Sequence, residues 1–236
     1  MKLNKRFFVL ALVVFLVVGM GSAVMAQDNY GDVDQEGSNN GAYIMQDSDN
    51  KASYDQGNHY GTIFQSGNSN LAGQEAYGAN SVLTINSEGS YNKAYQTQGL
   101  WGVGSGSTGD IDQTGNGNFA AQSFGQQGQY ARIYQDGNYN TATQNMDEGV
   151  VNEQRAYQYG EWNVSHQKAT GKYNFSQVTQ AGDSNFAFVM QSAEHNNADV
   201  VQSGFGNAGF VNQSSNNNDA NITQSGNNNG ATIIQN

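Results

Sequence analysis

The C-terminal part of the chain alternates strictly between two kinds of position. Asn218, Ala220, Ile222 and Gln224 occupy one face, and Asp219, Asn221 and Thr223 the other. A period of two defines the faces of a β-strand. Asn229, Ala231, Ile233 and Gln235 repeat the same order. The pattern predicts an inward face of Asn, Ala, an aliphatic residue and Gln, and an outward face that is variable and polar. A glycine between strands (Gly137, Gly182, Gly204, Gly226) suits a tight turn needing positive φ. A helix is excluded, because no segment has 3.6-residue apolar spacing and glycine recurs too often for helix interiors.

The alternation belongs to a repeat. Gln180, Gln191, Gln202, Gln213, Gln224 and Gln235 follow at intervals of 11, with Asn185, Asn196, Asn207, Asn218 and Asn229 in step between them. The unit is Gln-x-Gly-x-x-Asn-x-Ala-x-x-x-Gln. It extends upstream through Gln135-Asp136-Gly137 and Gln113-Thr114-Gly115 to Gln65-Ser66-Gly67 and Gln35-Glu36-Gly37, with less regular spacing between Gln35 and Gln65. The residue two before each closing position is Ile at 63, 111 and 133 but Gln at 74, 96, 122, 144 and 167. Like residues therefore recur on every second strand. A flat meander gives no reason for this, whereas a strand–turn–strand–turn coil of about 22 residues does. The expected fold is all-β: a β-solenoid of about nine stacked coils over residues 31–236, with an insertion at 100–108. These Gln and Asn residues are expected to stack inward as amide ladders, each amide donating and accepting along the stack.

Residues 1–26 have the form of a signal peptide. Lys2, Lys5 and Arg6 precede an apolar run from Phe7 to Val18, and small residues lead to a cleavage site at Ala26. Twelve apolar residues are too few to span a bilayer about 30 Å thick, so no membrane insertion of the mature chain is expected. Residues 27–30 would form a short leader. The composition holds 9 basic and 20 acidic residues, which argues against nucleic acid or an anionic membrane as partner. There is no cysteine to staple the fold and no proline to interrupt strand pairing.

Motifs that could carry chemistry are better explained by the repeat. Gly104 to Gly109 spells G-x-G-x-x-G, but another strand pattern, Asp110-Ile111-Asp112-Gln113, follows it where a dinucleotide site needs a helix. Asn163, Asn174, Asn212 and Asn221 fall in glycosylation sequons that arise when Ser enters the Ala position, and Asn163 and Asn174 would point inward. His59, His166 and His195 lie in three different units and are expected at the surface or in turns. Asp32 with Asp34, and Asp110 with Asp112, are expected to be solvated outer-face charge. Arg132, Arg155, Lys168 and Lys172 sit among acidic neighbours, as gatekeepers that slow unwanted pairing or as ordinary surface charge. Phe186, Phe188 and Phe210 are expected on the outer face. No catalytic set, metal site or cofactor site is expected, and the chain is not expected to be an enzyme.

The repeated unit resembles the curlin repeat, the building block of curli fibre subunits, over nearly the whole chain from about Gly31 to Gln235. The resemblance implies a secreted subunit that self-assembles end to end into functional amyloid at the cell surface, serving adhesion and biofilm matrix. It also implies a nucleator subunit and an outer-membrane secretion pore as partners. The absence of Lys or Arg after Lys172 favours the fibre-building subunit over the nucleator. A monomeric β-solenoid adhesin is the rival reading. The regular repeats continue to Gln235 with no cap or charged tail, so the last coil is expected to be an open edge that templates a neighbouring chain.

Overall fold

A computed structural model of the protein describes residues 29–47, 59–77, 80–99 and 106–236. The expected signal segment, residues 27–28 of the leader and residues 100–105 of the expected insertion lie outside the described residues. The described chain is a succession of β-strands. They pair off as β1 (Tyr30–Ser38) with β2 (Gly41–Asp47), β3 (Tyr60–Asn68) with β4 (Leu71–Tyr77), and β5 (Val82–Ser90) with β6 (Lys93–Gln98). Next come β7 (Thr108–Asn116) with β8 (Phe119–Phe124), β9 (Tyr130–Asn138) with β10 (Thr141–Glu148), and β11 (Glu153–Glu161) with β12 (Val164–Thr170). The last are β13 (Phe175–Asp183) with β14 (Phe186–Gln191), β15 (Asn197–Phe205) with β16 (Ala208–Gln213), and β17 (Asp219–Asn227) with β18 (Gly230–Gln235).

Odd strands form one parallel nine-stranded sheet and even strands another, both ordered along the chain. Each odd–even pair is one coil of a β-solenoid, numbered here 1 to 9, and adjacent coils are joined by eight steps. Register follows the 22-residue repeat, as in Asn197↔Asp219 and Gly209↔Ala231. At about 4.8 Å per strand the stack is roughly 40 Å long.

Alternation along each strand places a thin core between the sheets. Ile63, Ile85, Ile111 and Ile133 face Ala72, Ala94, Ala120 and Ala142, and Val178, Val200 and Ile222 face Ala187, Val189 and Val211. Alanine on one side lets the sheets approach closely enough for a single aliphatic layer to fill the gap. Three steps depart from 22. The first and third carry residues 48–58 and 100–105, outside the described residues. In the fifth, one extra residue is absorbed by a register shift between Met146 and Glu148 in the β10–β12 pairing.

Two expected boundaries move. Tyr30, assigned to the leader, opens β1 and donates its N–H to the His59 carbonyl (2.8 Å). Thr108, assigned to the insertion, opens β7. The preceding Ser107 is buried and its carbonyl accepts the Val82 N–H (3.0 Å). Backbone pairing, invisible to side-chain pattern, draws these residues into the coils.

Candidate functional site

Stacking brings the closing glutamines of the odd strands into one column. Gln113 Nε2 donates to Gln135 Oε1 (2.9 Å), Gln135 to Gln158 (2.8 Å), Gln158 to Gln180 (2.9 Å), Gln180 to Gln202 (2.9 Å) and Gln202 to Gln224 (2.8 Å). The second N–H of each amide crosses the coil to a backbone carbonyl. Gln180, Gln202 and Gln224 donate to the Val164, Phe186 and Ala208 oxygens (2.8–3.0 Å). Each buried amide thus binds the next coil with one hydrogen and the opposite sheet with the other.

The asparagines are organised differently from the expected amide-to-amide ladder. Asn40, Asn70, Asn92, Asn118, Asn140, Asn163, Asn185, Asn207 and Asn229 each precede an even strand. Asn207 Oδ1 accepts the backbone N–H of Asn229 (3.1 Å), and Asn207 Nδ2 donates to the Gly226 carbonyl (2.8 Å). The same pair of bonds recurs in earlier coils, as from Asn118 to Asn140 N–H and Gly137 O. Along this column the side chain bonds the turn backbone of the next coil, and the expected amide-to-amide contact is added at Asn185, Asn207 and Asn229. Asn174, Asn196 and Asn218 precede odd strands, and each donates its N–H to the corner Asn one coil back: Asn152, Asn174 and Asn196.

The turn glycines are set by both conformation and space. Gly137, Gly182, Gly204 and Gly226 have φ of 134°, 106°, 112° and 101°. A Cβ on Gly137, Gly182 or Gly204 would overlap the carbonyl of Gly160, Gly204 or Gly226 in the next coil, whereas one on Gly226 would meet only Asn229 Nδ2 at 3.7 Å. A second left-handed residue precedes each even-strand Asn, among them Tyr139 (56°) and Trp162 (58°). Their rings stack with centroids 4.5 Å apart. The sequence carries no signal for these non-glycine positions, since a coil-to-coil N–H bond (Tyr139 to Asn116 O, 2.9 Å) compensates the strain.

Even strands hold two arrangements. In coils 2 to 6 the amide sits mid-strand: Gln74 donates to Gln96, Gln96 to Gln122, Gln122 to Gln144 and Gln144 to Gln167 (2.8–3.1 Å). The strand ends there carry Ala76, Phe124, Met146 and Ala169, which pack with Leu83 and Ala131 in a corner cluster. In coils 7 to 9 the middle carries Val189, Val211 and Ile233, and the amide moves to the end: Gln191 donates to Gln213 (3.0 Å) and Gln213 to Gln235 (2.9 Å). Coil 1 is of the second kind, with Ile44 and Gln46.

Where the arrangements meet, an acceptor is stranded. Ile44 pairs with Gln74 and Ala169 with Gln191. Neither Ile nor Ala can donate, and Gln74 Oε1 and Gln191 Oε1 are buried with no hydrogen-bond partner. Such a group costs about 1–3 kcal/mol. At the second junction Gln167 recovers a partner for its own N–H in Ser176 Oγ (3.2 Å).

The ends of the stack expose what the interior buries. Val33, in the column of the fully buried Ile63, is 44 % exposed, and Ile233 and Gln235 are half-buried. β1, β2, β17 and β18 are the sheet edges. The first outward residue of a strand donates toward the following coil, as Asn197 does to Asn218 O and Ala208 to Asn229 O (both 2.8 Å). In coil 9 the corresponding N–H groups of Asp219 and Gly230 face the open edge.

On the outer faces, Arg132 pairs with Asp110 (3.5 Å) and Lys168 with Asp147 (3.3 Å), while Arg155 contacts Glu153 and lies over the Tyr130 and Phe175 rings. Burial raises the Asp110 carboxyl above its ordinary range against the pull of Arg132, and raises Asp112 with help from Asp110 and Glu88. Burial alone raises Asp199 and lowers His166. Phe186 is exposed, but Phe188 and Phe210 cover each other as a parallel stack with centroids 5.1 Å apart. His195 lies in a turn against Tyr173. His59, expected at the surface or in a turn, lies at a corner between strands and is fully buried, and its Nδ1 accepts the Ser81 N–H (3.4 Å). It fills the corner that Asn152, Asn174, Asn196 and Asn218 fill later, and its place just before Tyr60-Gly61-Thr62-Ile63 was the available signal. Among the described residues no three acidic or histidine side chains converge to hold a metal ion, and no helix is long and apolar enough to cross a membrane.

Comparison with known families agrees with this architecture. Residues 174–204 and 182–226 match the curlin associated repeat, in the coils where the 11-residue pattern is most regular. No curated protein matches the chain.

Proposed function

We propose that this curlin-repeat chain is a structural subunit that polymerises head to tail into a curli-type amyloid fibre outside the cell. The observation that carries the reading is the identity of the end coils with the interior. Coil 9 repeats the ladder positions of coils 7 and 8, so its strand edges, Gln224 and Gln235 amides and Asn229 Oδ1 stand where every earlier coil meets the next. Coil 1 offers the complementary edge. A contact between two different end surfaces does not close on itself and generates a filament. Amide ladders continuous from chain to chain would give the fibre its cross-β character.

Secretion through an outer-membrane pore, help from a nucleating subunit, and a role in adhesion and biofilm matrix extend this reading from the family resemblance. Fibre building is preferred over nucleation because the last coils carry no basic residue after Lys172. The fold and family are structural in kind, and the buried amides have their hydrogens committed to neighbouring coils.

Electron microscopy and fibre diffraction of the purified mature chain test the proposal, with a meridional spacing of about 4.8 Å expected. The decisive variant is Asn221→Pro with Thr232→Pro. Both are outward residues of the last coil, so their N–H groups point to the open edge and not to coil 8. Elongation should nearly cease while the monomer stays folded. Filaments growing at the parental rate would refute head-to-tail addition at this edge.

A further inference from the structure

The displaced glutamine of coils 2 to 6 sets a register code for assembly. We infer that a second copy of this chain docks its coil 1, and none of the central coils 2 to 6, on coil 9, because coil 1 matches it column by column and they do not. This rests on the head-to-tail reading above and specifies which surfaces recognise each other.

Along the odd strand, Gly31, Val33 and Gln35 of an incoming copy would stack on Ala220, Ile222 and Gln224. Along the even strand, Ala42, Ile44 and Gln46 would stack on Ala231, Ile233 and Gln235, with Asn40 on Asn229. Apolar meets apolar, and each glutamine N–H on coil 9 finds a glutamine Oε1. The polarity is right: from Gln113 to Gln224 and from Gln191 to Gln235, each glutamine nearer the N-terminus donates to the one nearer the C-terminus. Gln46 already uses one N–H across its coil to Tyr30 O (2.9 Å), as Gln235 does to Asp219 O (3.0 Å). Both therefore have the amide orientation of the interior ladder.

Coils 2 to 6 cannot substitute for coil 1. Each would place a mid-strand glutamine (Gln74, Gln96, Gln122, Gln144 or Gln167) over Ile233. All but coil 3, whose Gln98 already accepts from Ser81, would also lay an apolar side chain on Gln235. The chain itself displays the result of this mismatch at its two internal block boundaries, where Gln74 Oε1 and Gln191 Oε1 are buried without a partner. There the covalent connection holds the coils together regardless. Between separate chains nothing does, so the stranded groups would be rejected during docking. Five central coils that closely resemble the ends in backbone are thereby barred from capturing a growing tip, and out-of-register addition is suppressed.

The test recodes the ends of the full mature chain and measures seeded elongation. Ile44→Gln with Gln46→Ala turns coil 1 into a central-type coil. This removes the mismatch with Gln74, so the monomer should keep its circular dichroism and melt no earlier than the parent. Elongation on parental seeds should fall about tenfold or more. Adding Ile233→Gln and Gln235→Ala to the same chain re-matches the two ends, and seeds of this fourfold variant should support its own elongation while rejecting the parent. Parental-rate growth of the first variant on parental seeds would overturn the register code, as would failure of the fourfold variant to prefer its own seeds. A parental chain that forms no filament at all would instead refute the assembly reading on which the code rests.

Discussion

Coils 2 to 6 and coils 7 to 9 have the same backbone frame, the same odd-strand glutamine column apart from Ser87 in coil 3 and the same even-strand asparagine corner, yet they bury different chemistry in the even sheet. In the central block a mid-strand amide column lies beside an apolar corner containing Phe124 and Met146. In the C-terminal block the middle is aliphatic and the amide closes the strand. The difference shows that an amide ladder is a property of a block and not of a residue. Within a block each glutamine has a donor on one side and an acceptor on the other. At a block boundary one oxygen is left over, whatever the local fit. A repeat protein can therefore vary its interior cheaply only by changing several consecutive coils together.

The comparison is broken most severely in the apolar corner, which only the central block has. Phe124→Ala should cost about 3–5 kcal/mol in urea unfolding, because Phe124 is fully buried and its rigid sheets cannot collapse into the cavity. Gln144→Leu comes next, at about 2–4 kcal/mol. It keeps volume but strands an N–H of Gln122 and the Oε1 of Gln167, which Gln144 now serves. Equal stability of either variant and the parent would mean that the blocks are not held by these contacts.

A finer comparison shifts the boundary itself. Val189→Gln sits directly over Gln167 and would extend the central ladder by one coil, whereas Val211→Gln would be isolated between valine and isoleucine. Both overfill the layer, but Val189→Gln should be less destabilising by about 1 kcal/mol. Thermal melts that rank them in the opposite order would show that volume, and not ladder continuity, governs the even sheet.

The smallest effects are electrostatic and have opposite signs. Asp112 has its carboxyl raised above the ordinary 3.8, mainly by burial. Its contribution to stability is therefore present below that value and lost as pH rises through the raised one. Asp112→Asn should raise the melting midpoint modestly at pH 7 and leave it unchanged at pH 3. His166 is lowered from 6.5 by burial, so its contribution is present above that value and lost as pH falls through the depressed one. His166→Gln should accordingly matter more for the acid limb of the stability profile.

The sequence by itself determined the strand, the turn and the coil. Alternation marked the inward face, the 11-residue interval marked the strand-plus-turn, and recurrence of Gln74, Gln96, Gln122, Gln144 and Gln167 on every second strand marked the two-strand coil. These features are local or strictly periodic, and a linear reading captures them. Three others became visible only in the stack. The asparagines bond the turn backbone of the next coil because their reach is set by corner geometry. His59 is buried because its neighbours across the step carry the partners for it. The stranded oxygens of Gln74 and Gln191 exist only where two blocks are laid one on the other. Hydrogen-bond satisfaction in a solenoid is decided between residues about 22 apart, across a step whose partners depend on how many residues each turn absorbs. That choice of partner belongs to the tertiary structure.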